Sequence, residues 1–117
     1  MKKIIITIFI ILCSVQAYAK NFNLEKVLEN LDKPWSLSFI DINELILTEK
    51  KGNLLIYNLQ NKKLINVKHN LSVLDSGQGG LLDVLYHKGE VYVSYSENRG
   101  DLRTSTSVAK GVIRNHQ

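Results

Sequence analysis

The feature that most constrains this chain is a pattern of short apolar strands that begins twice. Leu37-Ser38-Phe39 followed by Leu45-Ile46-Leu47 is echoed by Leu82-Asp83-Val84 followed by Val91-Tyr92-Val93, at offsets of 45 and 46 residues. Between the copies, alternating runs are separated by turn residues. Trp35 to Phe39 alternates with period two, and Asp41-Ile42-Asn43-Glu44 turns into Leu45 to Thr48. Lys51-Gly52-Asn53 signals a hairpin into Leu54 to Leu59, and Asn61-Lys62 turns into Lys63 to Lys68. In that last run Ile65 and Val67 share one face and Leu64, Asn66 and Lys68 the other, the pattern of a half-buried outer strand. After Val93 come Ser94-Tyr95-Ser96, a turn at Arg99-Gly100-Asp101 and a further strand from Thr106 to Ile113. The expectation is an all-β chain of antiparallel meanders. A unit of four strands every 45 or so residues suits a β-propeller blade, and an all-β sandwich gives a similar spacing.

Length limits either fold. Lys2 and Lys3, the apolar run Ile4 to Leu12 and the small-x-small site Ala17-Tyr18-Ala19 read as a Sec-type signal peptide over residues 1–19, which implies export to the periplasm. The apolar run is shorter than the roughly 20 residues of a membrane-spanning helix, so no stable membrane span is expected after cleavage. The remaining domain, residues 20–117, has 98 residues. At roughly 40–50 residues per blade this is about two blades, and a closed propeller needs at least four.

Charge and cysteine content remove other functions. The formal charge is +4, and without Lys2 and Lys3 the balance is 13 basic against 11 acidic residues, scattered in runs of two at most. Nucleic acid is therefore not an expected partner. The single cysteine, Cys13, lies in the leader, which leaves the exported domain without disulfide or thiol chemistry.

Chemistry concentrates at Ser76-Gly77-Gln78-Gly79-Gly80-Leu81-Leu82. Glycine at this density marks backbone that turns tightly or is approached closely, and a glutamine among glycines is placed to face a ligand. Other polar residues read more plainly. His87 belongs to a tight turn, and His69 and His116 have no partners at metal-ligand spacing. Glu49 and Asp83 border strands as solvated or turn-bonded acids unless folding brings them together. Trp35, Tyr57, Tyr92 and Tyr95 are expected in packing rather than as sugar platforms. Asn70-Leu71-Ser72 fits a glycosylation sequon that carries no weight in a bacterial chain.

Five segments taken in order are more specific: Leu31-Asp32-Lys33-Pro34-Trp35-Ser36-Leu37-Ser38-Phe39, Leu47-Thr48-Glu49-Lys50-Lys51-Gly52-Asn53-Leu54, Gly77-Gln78-Gly79-Gly80-Leu81-Leu82-Asp83-Val84, Val91-Tyr92-Val93-Ser94-Tyr95-Ser96-Glu97 and Thr106-Ser107-Val108-Ala109-Lys110-Gly111. From Phe22 to Ile113 the chain resembles the start of the glucose/sorbosone dehydrogenase family, soluble periplasmic PQQ-dependent aldose sugar dehydrogenases built as six-bladed β-propellers. The resemblance implies an extended strand over Asn23 to Leu28, although Leu24, Val27, Leu28 and Leu31 are spaced as on an amphipathic helix.

The resemblance also implies a chemistry. In the family a histidine removes the hydroxyl proton at the anomeric carbon while hydride passes to the PQQ quinone; calcium polarises the quinone carbonyl and basic residues hold the cofactor's carboxylates. Electrons then leave to a periplasmic acceptor. Gln78 is the one functional position that carries over, facing sugar and PQQ at the mouth of the channel. The family's catalytic histidine, calcium ligands and PQQ-carboxylate ligands lie beyond Gln117, so the implied identity is an N-terminal fragment with neither PQQ nor calcium bound on its own. The chain departs from the family in a short hairpin, Tyr86-His87-Lys88-Gly89-Glu90, and in its polar end, Arg114 to Gln117. The competing reading is a non-catalytic secreted β-domain that binds carbohydrate or an envelope partner.

Overall fold

The computed structural model describes residues 21–114, so the leader expected over residues 1–19 and His116 lie outside the described residues. Seven strands run in chain order: β1 (Pro34–Phe39), β2 (Glu44–Glu49), β3 (Asn53–Asn58), β4 (Leu64–Val67), β5 (Leu81–His87), β6 (Glu90–Asn98) and β7 (Thr104–Gly111). They form two antiparallel meanders, β1-β2-β3-β4 and β5-β6-β7.

The turn residues act as their chemistry dictates. The Asp41 carboxylate accepts the amides of Asn43 at 2.7 Å and Glu44 at 2.9 Å, closing the β1–β2 connection as an Asx turn. The Asn58 side-chain oxygen does the same for Gln60 and Asn61, both at 3.0 Å, between β3 and β4. His87 pairs with Glu90 across a two-residue loop whose residues, Lys88 and Gly89, take φ of 49° and 86°. Two positive φ values in succession match the right-handed twist of the flanking strands.

The core lies between the sheets. Ile46, Leu54, Ile56 and Val67 from the first meet Leu81, Val84, Val91, Val93 and Tyr95 from the second. β2 and β3 are buried on their other face too, where Leu45, Leu47, Leu55 and Tyr57 lie under Leu28, Leu31 and Leu59. Strands covered on both faces lose polar alternation, which explains the unbroken Leu45-Ile46-Leu47 and Leu54-Leu55-Ile56 runs.

The seam between the sheets is hydrogen-bonded as well as apolar. Ser36 and Ser38 point from β1 towards β5, and their hydroxyls accept the amides of Val84 at 3.4 Å and Tyr86 at 3.0 Å. Thr48, fully buried, accepts the Ser36 amide at 3.1 Å and donates to the Leu82 carbonyl at 2.5 Å. Among the described residues every buried side-chain nitrogen or oxygen has a partner.

Two expectations are corrected, for residues 23–28 and for Trp35. Residues 23–28 form neither strand nor helix. Their backbone meets no free sheet edge among the described residues, and a strand requires a neighbour's N–H and C=O groups. The segment instead lies over β2 and β3 through Leu28 and Leu31, with the Tyr57 hydroxyl donating to the Val27 carbonyl at 2.9 Å. The second sheet has three strands among the described residues, on the stretches that the sequence marks at Leu82, Val91 and Thr106. Trp35 does not pack between sheets: it shares the outward face of β1 with Leu37 and Phe39 and is 47% exposed. Tyr57 and Tyr95 are core residues as expected.

Candidate functional site

The loop that carries Gln78 leads from β4 to β5 and is fastened along its length. Asn98 donates to the Ser72 carbonyl and Leu74 to the Ser96 carbonyl, both at 2.9 Å, and Ser96 donates to the Gly80 carbonyl at 2.8 Å. The end of β6, which β5 does not reach, is thus paired by this loop instead. Within it, Gly79 donates to the Ser76 carbonyl at 2.8 Å, closing a four-residue turn with Gly77 and Gln78 at its centre.

The glycines are required for separate reasons. Gly77 takes φ of 55°, a left-handed conformation that costs a side-chain-bearing residue energy. A Cβ on Gly79 would stand 2.6 Å from the Ser96 hydroxyl, and one on buried Gly80 would overlap the Lys50 carbonyl oxygen and Cγ. Gly79 and Gly80 therefore let the loop lie directly against β6 and the β2–β3 hairpin, while Gln78 remains exposed at the turn.

Lys50 holds the other side. Its backbone carbonyl accepts the Leu81 amide at 2.9 Å, and its ammonium reaches the Asp75 carboxylate at 2.8 Å and the Gly77 carbonyl at 2.6 Å. The Lys50 hydrogen bond, set against some desolvation, holds the Asp75 carboxyl below its ordinary range, with smaller contributions from Lys33 and Lys51. Sequence reasoning passed over Lys50, Asp75 and Ser96: their partners are 16 or more residues away, and no local pattern marks such contacts.

Glu49 and Asp83 are engaged separately and form no catalytic pair. Glu49 is buried, accepting the Asp32 amide at 2.6 Å and the Asn53 side-chain amide at 2.7 Å. Asp83 accepts the Ser36 hydroxyl at the irregularity in β5. His87 is exposed in its hairpin. His69 is used structurally: one ring nitrogen lies 2.6 Å from the Gly52 carbonyl and the other accepts the Leu71 amide at 3.2 Å. Tyr92 donates to Glu90 at 2.6 Å, and that bond, burial and the carboxylate charge raise the phenol's pKa.

As a ligand surface, this turn offers the exposed carboxamide of Gln78, able to donate and accept at once. The described residues bring together no group of three or more His, Cys, Asp or Glu side chains able to hold a metal ion. The nearby Lys50 ammonium is already bound to Asp75 and Gly77. These residues do not by themselves fit calcium or the carboxylates of PQQ.

Two antiparallel meanders packed in chain order, with the first strand of the second lying against β1 and β2 of the first, are successive blades of a β-propeller. Comparison with known proteins makes this specific. The Glucose / Sorbosone dehydrogenase family profile matches residues 31–117, and the chain belongs to that family. It is 33% identical over 95 residues to the aldose sugar dehydrogenase YliI of Escherichia coli (strain K12), covering 76% of this chain and 26% of that protein. The crystal structure of the soluble aldose sugar dehydrogenase Asd from Escherichia coli in the apo-form superposes with a TM-score of 0.71 at 31% identity, over 80% of this chain and 28% of that one. The PQQ-bound aldose sugar dehydrogenase Adh from Streptomyces coelicolor shares the fold, with a TM-score of 0.69 at 16% identity over 80% of this chain and 28% of that one. The chain spans little more than a quarter of the length of these relatives. No helix among the described residues is long and apolar enough to cross a membrane.

Proposed function

We propose that this chain is the N-terminal part of a periplasmic, PQQ-dependent aldose sugar dehydrogenase, exported by a signal peptide over residues 1–19, with residues 20–117 supplying the first two blades of a six-bladed ring. The observation that carries the reading is the Gly77-Gln78-Gly79-Gly80 turn: a free carboxamide on backbone fastened to both sheets, in a chain of this family. Such an amide can accept from a sugar hydroxyl and donate to a sugar or quinone oxygen, and because its backbone is already ordered it orients the substrate at little entropic cost. PQQ supplies the redox chemistry in the complete protein. This chain supplies one polar wall of the site, and the base, calcium ligands and carboxylate-holding residues come from later blades. The substrate is an aldose and the electrons pass to a periplasmic acceptor.

Two measurements test the reading. The chain alone, given PQQ, Ca2+, an aldose and a dye acceptor, is expected to show no turnover, and robust dye reduction would defeat the view that further blades are needed. Where the ring is complete, Gln78→Ala is expected to lower kcat/KM for aldoses by roughly tenfold or more, the scale of one lost hydrogen bond in the transition state. An unchanged kcat/KM would remove Gln78 from the site.

A further inference from the structure

The turn that carries Gln78 has an unusual freedom and an unusual restraint. In a four-residue turn the central peptide, here between Gly77 and Gln78, can rotate so that its carbonyl and N–H exchange faces; the rotation changes ψ at Gly77, which glycine leaves free, and carries φ of Gln78 to a positive value, which a glutamine adopts at a modest cost. Because the peptide is planar and trans, the direction of the Gly77 carbonyl also fixes the direction of the Gln78 N–H and the start of its side chain. That carbonyl is the group Lys50 holds, at 2.6 Å.

We infer that Lys50 is a positioning residue: its ammonium, steadied by Asp75, selects one orientation of the Gly77–Gln78 peptide and thereby aims the Gln78 carboxamide. The side chain is well placed for this. It is 15% exposed against 24% for Asp75, and its Cγ lies where a Cβ on Gly80 would have to go. The stem thus packs along the glycines while the head bonds to both the carboxylate and the carbonyl. A lysine ammonium has three donors, and two are used within this loop. A charged donor to a peptide oxygen is stronger than a neutral one, and desolvation strengthens it further. Lys50 follows β2, so the first sheet determines the conformation of the loop that enters the second. The consequence for sugar binding rests on Gln78 facing the substrate, as proposed above; the control of the peptide itself does not.

The test reads the peptide directly, without sugar or cofactor. In the isotope-labelled full chain, Lys50→Met keeps the stem and removes the charge. It is expected to split or broaden the Gly77, Gln78 and Gly79 amide signals by NMR and to change the N–H residual dipolar coupling of Gln78. Hydrogen exchange of the Gly79 amide is expected to rise by roughly tenfold, while amides in β2 and β3 keep their wild-type values. Lys50→Arg, which keeps a charged donor, is expected to restore a single set of signals. A sharp, single Gln78 signal with the wild-type coupling in Lys50→Met overturns the inference, as does equal broadening across β2 and β3. Should Lys50→Met not fold, Asp75→Asn decides: added exchange at Gln78 supports the inference, and unchanged signals overturn it. If the peptide reorients but Gln78→Ala leaves kcat/KM unchanged in a complete ring, the clamp stands and the functional reading falls.

Discussion

Replacing Gly80 with alanine probes how the two sheets meet. A Cβ there would overlap the Lys50 carbonyl oxygen, a backbone atom that cannot swing aside, as well as Lys50 Cγ, which can. To escape, the loop must move off the β2–β3 hairpin, and two bonds then fail: Leu81 N–H to the Lys50 carbonyl and Ser96 N–H to the Gly80 carbonyl. Two backbone bonds lost from a largely buried seam, at roughly 1–3 kcal/mol each, put Gly80→Ala at about 3 kcal/mol. Gly77→Ala is the control. Its Cβ meets nothing within 4 Å, so only the φ of 55° is penalised, by about 1 kcal/mol. Urea denaturation of wild type and both variants, with slopes compared as well as midpoints, gives the two differences. Gly80 also takes φ of 155°, so both variants carry a backbone penalty; equal destabilisation, or a Gly80→Ala cost below about 1 kcal/mol, would refute the claim that close approach at 80 adds a cost beyond backbone conformation.

Thr48→Val, which keeps the shape and removes the hydroxyl, strands the Leu82 carbonyl and the Ser36 amide; a loss of about 2 kcal/mol by the same urea measurement is expected, and Ser36→Ala should cost less. Asp75, with its pKa lowered beneath the ordinary value of 3.8, stabilises the loop above that value and ceases to do so as the pH falls through the lowered pKa. Amide signals of residues 77–79 should therefore be constant from neutral pH to about pH 4 and change only below it, and a change already complete near pH 5 would contradict the Lys50 pairing. Tyr92 titrates above its ordinary 10.0 chiefly because it donates to Glu90. Glu90→Gln should bring its ultraviolet titration down, and an unmoved curve would show that the pair does not form.

Much of the strand plan could be read from residues close in the chain. Alternation at Trp35 to Phe39, turn residues at Asp41, Gly52 and Asn61, and the apolar runs at Leu45 and Leu54 each depend on neighbours within a few positions, and the observed strands fall on them. The 45-residue recurrence likewise became two successive meanders. The motif order from Leu31 to Gly111 carried the family, because ordered spacing across most of the chain is itself a sequence property. Gln78 could be singled out for the same local reason: glycines on both sides leave a polar side chain with little else to do.

What the local signals could not decide depended on what lies opposite each segment. Leu24, Val27, Leu28 and Leu31 are spaced for a helix and the family resemblance implied a strand, but residues 23–28 became neither, because β2 and β3 present a side-chain face there and no free edge. Trp35 has the composition of a core residue and lies on the outward face of β1, since Ser36 and Ser38 take the side that bonds to β5. Glu49 and Asp83, near strand ends in the sequence, were drawn to different backbone and side-chain partners. The clamp on Gln78 joins residues 27 positions apart. Sequence determined which residue stands at the turn; only the packing of one sheet on the other decided which way that turn is held, because the charge that holds it belongs to the first sheet and the carbonyl to the approach to the second.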